Sequence, residues 1–193
     1  MTVWHWVRHG PTHEKAFVGW RDVPADLSDK TRINRLQNHL PKEALLVSSD
    51  LIRASATADA VQRPSHRRLP SEPELREFNF GLWDGMHFSQ VAKEHPALSR
   101  AYWEKPGDVK PPEGESWNMA AARVNARVDA LNAVHPDAEI IAVAHIGVIL
   151  TQVQRGLGVT PYKALSHEID NLSCTRIVWS GGTPTVSQIN HCP

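Results

Sequence analysis

The chain has 193 residues, 41% apolar and 22% charged, an ordinary composition for a globular domain with a sizeable core. Its 21 Lys and Arg balance its 21 Asp and Glu, so no global charge draws it to nucleic acid or to a membrane surface, and any anion site must be built locally. The two cysteines have neither metal-site spacing nor the density of a disulfide scaffold, no apolar run approaches roughly 18 residues, and no secretory signal is visible; the expectation is a reduced, cytoplasmic protein with one domain over residues 1–193.

The first element is Val3 to Val7, apolar and β-forming apart from His5, which reads as a buried strand stopped by Gly10-Pro11. Arg8 and His9 therefore fall where a strand gives way to a turn, the edge at which α/β sheets bind ligands. A guanidinium fork suits phosphate oxygens, and an adjacent imidazole can act as a nucleophile. His5, His9 and His13 would line up on a helix. Gly10-Pro11 and the β-forming residues around them argue against one, so no metal centre is expected.

Residues 13–28 read as a loop, in which Lys15 is either a flexible point charge for a phosphate or a solvated side chain. Ser28 is placed as the cap of a helix over roughly residues 29–38. Leu45-Leu46-Val47 reads as a second strand, followed by a helix with Ser49 or Asp50 as its cap. Arg53 then lies in the first helical turn, at the same sheet edge as His9, where the helix N-terminus also favours an anion.

His66 to Leu69 is expected to be a short strand. In the segment after it, Glu77 stands beside Phe78, Phe80 and Trp83. Desolvation by these rings would raise its pKa and suit it to protonate a leaving alcohol. Residues 86–105 read as two short helices broken at His95-Pro96, and 107–114 as loop. From Trp117, apolar residues at 117, 120, 121, 124, 128 and 131 define a helix with one buried face, with Arg123 and Arg127 off it. Glu115 and Ser116, just before it, are placed either at the site or outside it.

Glu139 to Ile149 reads as a strand covered on both faces, then a turn and a helix, with His145 at the strand end. Asn171 to Trp179 and Pro184 to Ile189, around Gly181-Gly182, read as an edge hairpin, and His191 and Cys192 as a frayed terminus. The fold class is α/β: a mostly parallel central sheet flanked by helices on both faces.

Four of these segments carry a resemblance. Arg8-His9-Gly10 with Thr12, the run from Ser48 through Arg53 to Ala58, Leu75-x-Glu77-x-x-Phe80-Gly81-x-Trp83-Asp84-Gly85, and His145-x-Gly147 together resemble the histidine phosphatase superfamily, the phosphoglycerate mutase-like proteins, over residues 3–179. The resemblance implies a phosphoryl group carried on His9, bound by Arg8, Arg53 and His145, with Glu77 as acid and then base. It implies no metal and no cofactor, and a small-molecule phosphomonoester as partner rather than nucleic acid or membrane. Lys15 and the backbone of Ile146 are additional contacts to consider. Lys15, Thr31, Asp84 and Ile146 depart from the family's usual Asn, Gly, Glu and Gly.

The chain is short and lacks the extra segments by which the family's mutases exclude water, which favours a phosphatase. Its pattern also looks like that of the alpha-ribazole phosphatases. A mutase-type phosphotransferase and a non-catalytic binder of phosphorylated ligands are the alternatives. Trp20, Trp83, Trp103 and Trp117 fall in or near site-forming segments and suggest a pocket for an apolar or planar group. Oligomeric state stays open.

Overall fold

The computed structural model describes residues 1–193. Its first strand, β1 (Thr2–Arg8), is buried from Thr2 to Val7. Side chains alternate across a strand, and that alternation divides the core. Trp4 and Trp6 stack on one face with centroids 4.9 Å apart. They join Ile140, Ala142 and Ala144 of β4 (Glu139–Ala144) in packing against α5 (Trp117–Val134) and α6 (Ile146–Leu157). Val7, Ile141 and Val143 point the other way, onto α1 (Lys30–His39) and α2 (Ile52–Val61). Both faces of β4 are thus covered, which explains its unbroken apolar run. Each aliphatic side chain fully buried here stabilises the fold by about 1.5–3 kcal/mol relative to leaving it exposed.

The remaining strands are β2 (Ala44–Ser48), β3 (His66–Arg68), β5 (Cys174–Ser180) and β6 (Thr183–His191), and the sheet order is β3-β2-β4-β1-β5-β6. The first four are mutually parallel, while β5 runs antiparallel to β1 and β6 antiparallel to β5. The result is one α/β domain with a six-stranded mixed sheet. Arg8 pairs with Ala144, and Ser48 with Val143, so the carboxyl ends of β1, β4 and β2 finish at one edge. Two short helices, α3 (Phe88–Glu94) and α4 (Pro96–Glu104), meet at His95-Pro96 as the sequence implies. A further short helix, α7 (Pro161–Ala164), follows α6. No helix is long and apolar enough to cross a membrane.

Caps and ends differ from expectation in three places. The cap of α1 is Asp29, whose Oδ1 accepts from the Arg32 N–H at 3.0 Å, while Ser28 instead donates its own N–H to Asp26. Neither Ser49 nor Asp50 caps α2. Asp50 pairs with Arg76, and Asp22, from the preceding loop, accepts the Ile52 N–H at 2.7 Å. A cap supplied thirty residues upstream leaves no local pattern to read. The hairpin opens at Cys174, not Asn171, and His191 is paired with Cys174 in β6 rather than frayed.

Candidate active site

His9 follows β1 directly, and its N–H extends the ladder to the Ala144 carbonyl at 3.1 Å. Its Nδ1 lies 2.6 Å from the Gly10 carbonyl. A carbonyl can only accept, so Nδ1 carries the ring proton and Nε2 keeps its lone pair. The ring is 7% exposed, and burial pushes its pKa down to about 3. The Arg53 and Arg8 charges push the same way, and the Gly10 hydrogen bond opposes them. A neutral imidazole is thereby enforced. The Asn171 side chain donates to the His9 carbonyl at 2.8 Å, and Thr57 Oγ1 accepts the Gly10 N–H at 3.0 Å, so the backbone on both sides of the ring is held.

His9 shares a cavity of about 350 Å³ with Arg8, Arg53, Glu77 and Ile146. Arg8 Nη1 donates to the Ile169 carbonyl at 2.6 Å. Arg53 is 1% exposed and donates from Nη1 to the Arg21 carbonyl at 3.0 Å and from Nη2 to the Gly19 carbonyl at 2.7 Å. The same two residues are gripped from the other side. Asp84 accepts the Gly19 N–H at 3.1 Å and the Arg21 N–H at 2.9 Å. The shorter aspartate that departs from the family pattern therefore ties down the loop on which Arg53 rests. Gly19 itself allows this approach, since a Cβ there would come within 2.6 Å of the Phe78 carbonyl.

His145 directly follows β4, is fully buried and lies edge-on to His9 with ring centroids 5.1 Å apart. Neither of its ring nitrogens meets a hydrogen-bonding partner in the protein. Burial first, then Arg53, His9, Arg123 and Arg8, drive its pKa well below the usual imidazole range.

Glu77 is 5% exposed, and burial raises its pKa. Two N–H donors oppose that rise but fix the carboxyl: Phe78 to Oε1 at 3.0 Å and Gly147 to Oε2 at 3.3 Å. Gly147 has no room for a side chain, because a Cβ there would lie 2.4 Å from Glu77 Oε1. Ile146, by contrast, sits in the first turn of α6 with ordinary helical backbone, and its side chain lines the cavity. The isoleucine at the family's first glycine is accommodated for that reason. The Glu77 carbonyl accepts from Trp20 Nε1 at 2.8 Å and from Arg123 at 3.3 Å.

Several side chains fall elsewhere than the sequence suggests. Lys15 is exposed and does not line the cavity. Trp83 is core, packed with Phe17, Val91 and Tyr102, while Trp103 and Trp117 do line cavities. Glu115 receives Arg123 and the Asn79 N–H, and Ser116 caps α5, so neither reaches the site. Glu14 and Phe88, which line the cavity with Thr12, and the clamp formed by Arg123 were not singled out by sequence. Arg123 lies off the apolar face of α5 and reaches the carbonyls of Glu74, Arg76 and Glu77, contacts that no spacing rule encodes.

A family model of the histidine phosphatase superfamily, branch 1, matches residues 5–191. The chain belongs to that superfamily, whose members are phosphatases or mutases. Among its relatives is the bifunctional protein Rv2228c of Mycobacterium tuberculosis, 31% identical over 129 residues, which cover 67% of this chain and 33% of that one. The chain thus spans about a third of that relative's length. The probable phosphoglycerate mutase GpmB of Cronobacter sakazakii is 25% identical, with 89% of this chain and 82% of that one covered. In structure, the mycobacterial glucosyl-3-phosphoglycerate phosphatase Rv2419c in complex with VO3 superimposes with a TM-score of 0.86 at 25% identity, covering 98% of each chain.

Proposed function

We propose that the protein hydrolyses a small phosphomonoester through a phosphohistidine on His9. The observation that carries this reading is the Gly10 hydrogen bond, which leaves His9 Nε2 unprotonated in a cavity shared with two guanidinium groups and a protonatable carboxyl. In the first step a bond forms between Nε2 and phosphorus while the ester P–O bond breaks. Glu77 gives its proton to the leaving oxygen, and the alcohol departs. In the second step water attacks phosphorus, passes a proton to Glu77, and the P–N electron pair returns to Nε2. Arg8, Arg53 and a ring N–H of His145 bind the non-bridging oxygens as charge grows on them. The guanidinium groups of Arg8 and Arg53 supply the positive field and His145 a neutral N–H donor, so the sequence of steps calls for no cofactor.

The likeness to the phosphatase Rv2419c supports hydrolysis over transfer. The relation to GpmB keeps a mutase as the second reading. A reducing, cytoplasmic setting fits the two free thiols, Cys174 and Cys192. The test is p-nitrophenyl phosphate turnover in EDTA, with trapping of acid-labile phosphoenzyme. Turnover and trapped label, both lost in His9→Ala, are expected. Interconversion of phosphoglycerates without release of phosphate would identify a mutase. Phosphate binding with neither reaction would make the chain a phospho-ligand binder.

A further inference from the structure

A second cavity, of about 140 Å³, adjoins Glu77. Nine of its twelve lining residues are hydrophobic, among them Phe78, Trp117, Leu150 and Leu165. It shares Glu77, Phe80, Trp103 and Ile146 with the cavity that holds His9 and the arginines. The carboxyl of Glu77 therefore stands at the junction of a cationic compartment and an apolar one. Phosphorus at His9 Nε2 puts the leaving oxygen beside Glu77, and the carbon bonded to that oxygen then continues into the apolar compartment.

From this juxtaposition we infer that the apolar cavity receives the alcohol portion of the substrate, and that this portion carries one six-membered hydrocarbon ring or a branched group of that bulk. The inference rests on the phosphatase reading above and narrows its substrate class. Volume sets the size, since a cavity of about 150 Å³ lined by aliphatic and aromatic side chains takes up a benzene. Chemistry sets the character. No Lys, Arg, His, Asn or Gln lines the cavity. Apart from Glu77, the one hydroxyl among its lining side chains is that of Tyr102. The hydroxyls of a sugar or glycerol phosphate would lose water there and gain almost nothing in return. The ring itself would lie among Phe78, Tyr102 and Trp117.

The test compares two esters of primary alcohols, benzyl phosphate and glycerol 1-phosphate, so that leaving-group reactivity is similar. A preference for benzyl phosphate of about 100-fold in kcat/KM is expected, the scale on which an apolar pocket discriminates. Val109→Trp places an indole into the cavity from a half-buried loop position. It should cut the benzyl-to-glycerol ratio at least about tenfold. A folding defect would lower both rates together and leave the ratio alone, and Leu165→Phe repeats the experiment from α7's side. Equal kcat/KM for the two esters, or an unchanged ratio in both variants with their glycerol 1-phosphate turnover intact, would overturn the inference. Absence of turnover with either ester would sink the phosphatase reading instead. Benzyl alcohol binding followed by tryptophan fluorescence then decides the cavity alone: saturable binding weakened by Val109→Trp supports it, and no binding overturns it.

Discussion

His5 and His9 stand four residues apart on and just beyond the same strand, 8% and 7% exposed, yet their surroundings differ in sign. His5 Nε2 lies 2.6 Å from a Glu139 carboxylate oxygen, so burial lowers its pKa while the carboxylate partly restores it. His9 has only a carbonyl, and two guanidiniums add to the effect of burial. The histidine in the middle of β1 is thus one partner of an ordinary compensated pair whose carboxylate is open to water. His9 is a neutral imidazole held among cations, which is costly to assemble and useful only toward an anion. Residue type and burial do not separate the two. The sign of the neighbouring charges does.

The sharpest way to break the contrast is to remove each ring. His9→Ala should abolish phosphoenzyme and lower turnover by about 10⁴-fold or more, measured with p-nitrophenyl phosphate. Glu77→Gln should slow alkyl phosphates by about 10²–10⁴-fold. It should also remove the alkaline limb of the pH–rate profile, which in the wild type lies above the ordinary carboxylate range because Glu77's pKa is raised. Gly147→Ala tests position rather than chemistry. Its methyl must displace the Glu77 carboxyl, and a fall in kcat of about 10²-fold with intact folding is expected. A wild-type kcat in that variant would mean the carboxyl need not sit where Gly147 holds it.

Stability should carry the same signature. The unfolded chain takes up protons on its histidines below about pH 6.5. Folded His9 refuses its proton down to about pH 3. Between those values the unfolded state binds more protons, so stability falls as pH drops, by up to about 1.4 kcal/mol per unit for this group. Urea unfolding between pH 6.5 and 4 should show a shallower slope in His9→Gln. Glu77 contributes with the opposite sign, its share declining as pH rises from about 4.5 through its raised folded pKa. The smallest effect belongs to His5→Gln: kcat within about threefold of wild type, and roughly 1–2 kcal/mol lost in urea unfolding with the Glu139 contact.

The elements that place Arg8, His9, Arg53 and His145 were legible because each sits where an apolar run meets a breaker or a helix start, and those signals are local. The apolar surroundings of Glu77 were legible too, with two of the three expected rings in place. Trp83 is core, and burial of the carboxyl comes with Phe78 and Phe80 beside it. What escaped was long-range. Asp22 capping α2, Asp84 holding the Arg53 loop, Asn171 on the His9 carbonyl and Arg123 clamping the Glu77 loop all join segments far apart in the chain. Hydrogen bonds across such separations leave no periodicity. Ser49, Asp50 and Lys15 were the opposite case, with residue types that fit a role which tertiary contacts assigned elsewhere or not at all.

The position of β1 has a kinetic consequence. The strand is made before the other five, yet its two neighbours are β4 and β5, and Thr2 pairs with Trp179. Pairings of such sequence separation close slowly, because the loop entropy is lost before the contacts form. Until Trp179 has emerged, a seven-residue strand rich in tryptophan and valine has one unprotected edge. Nascent chains stalled short of that residue should therefore be the aggregation-prone ones, and the nucleophile's own strand the surface through which they associate.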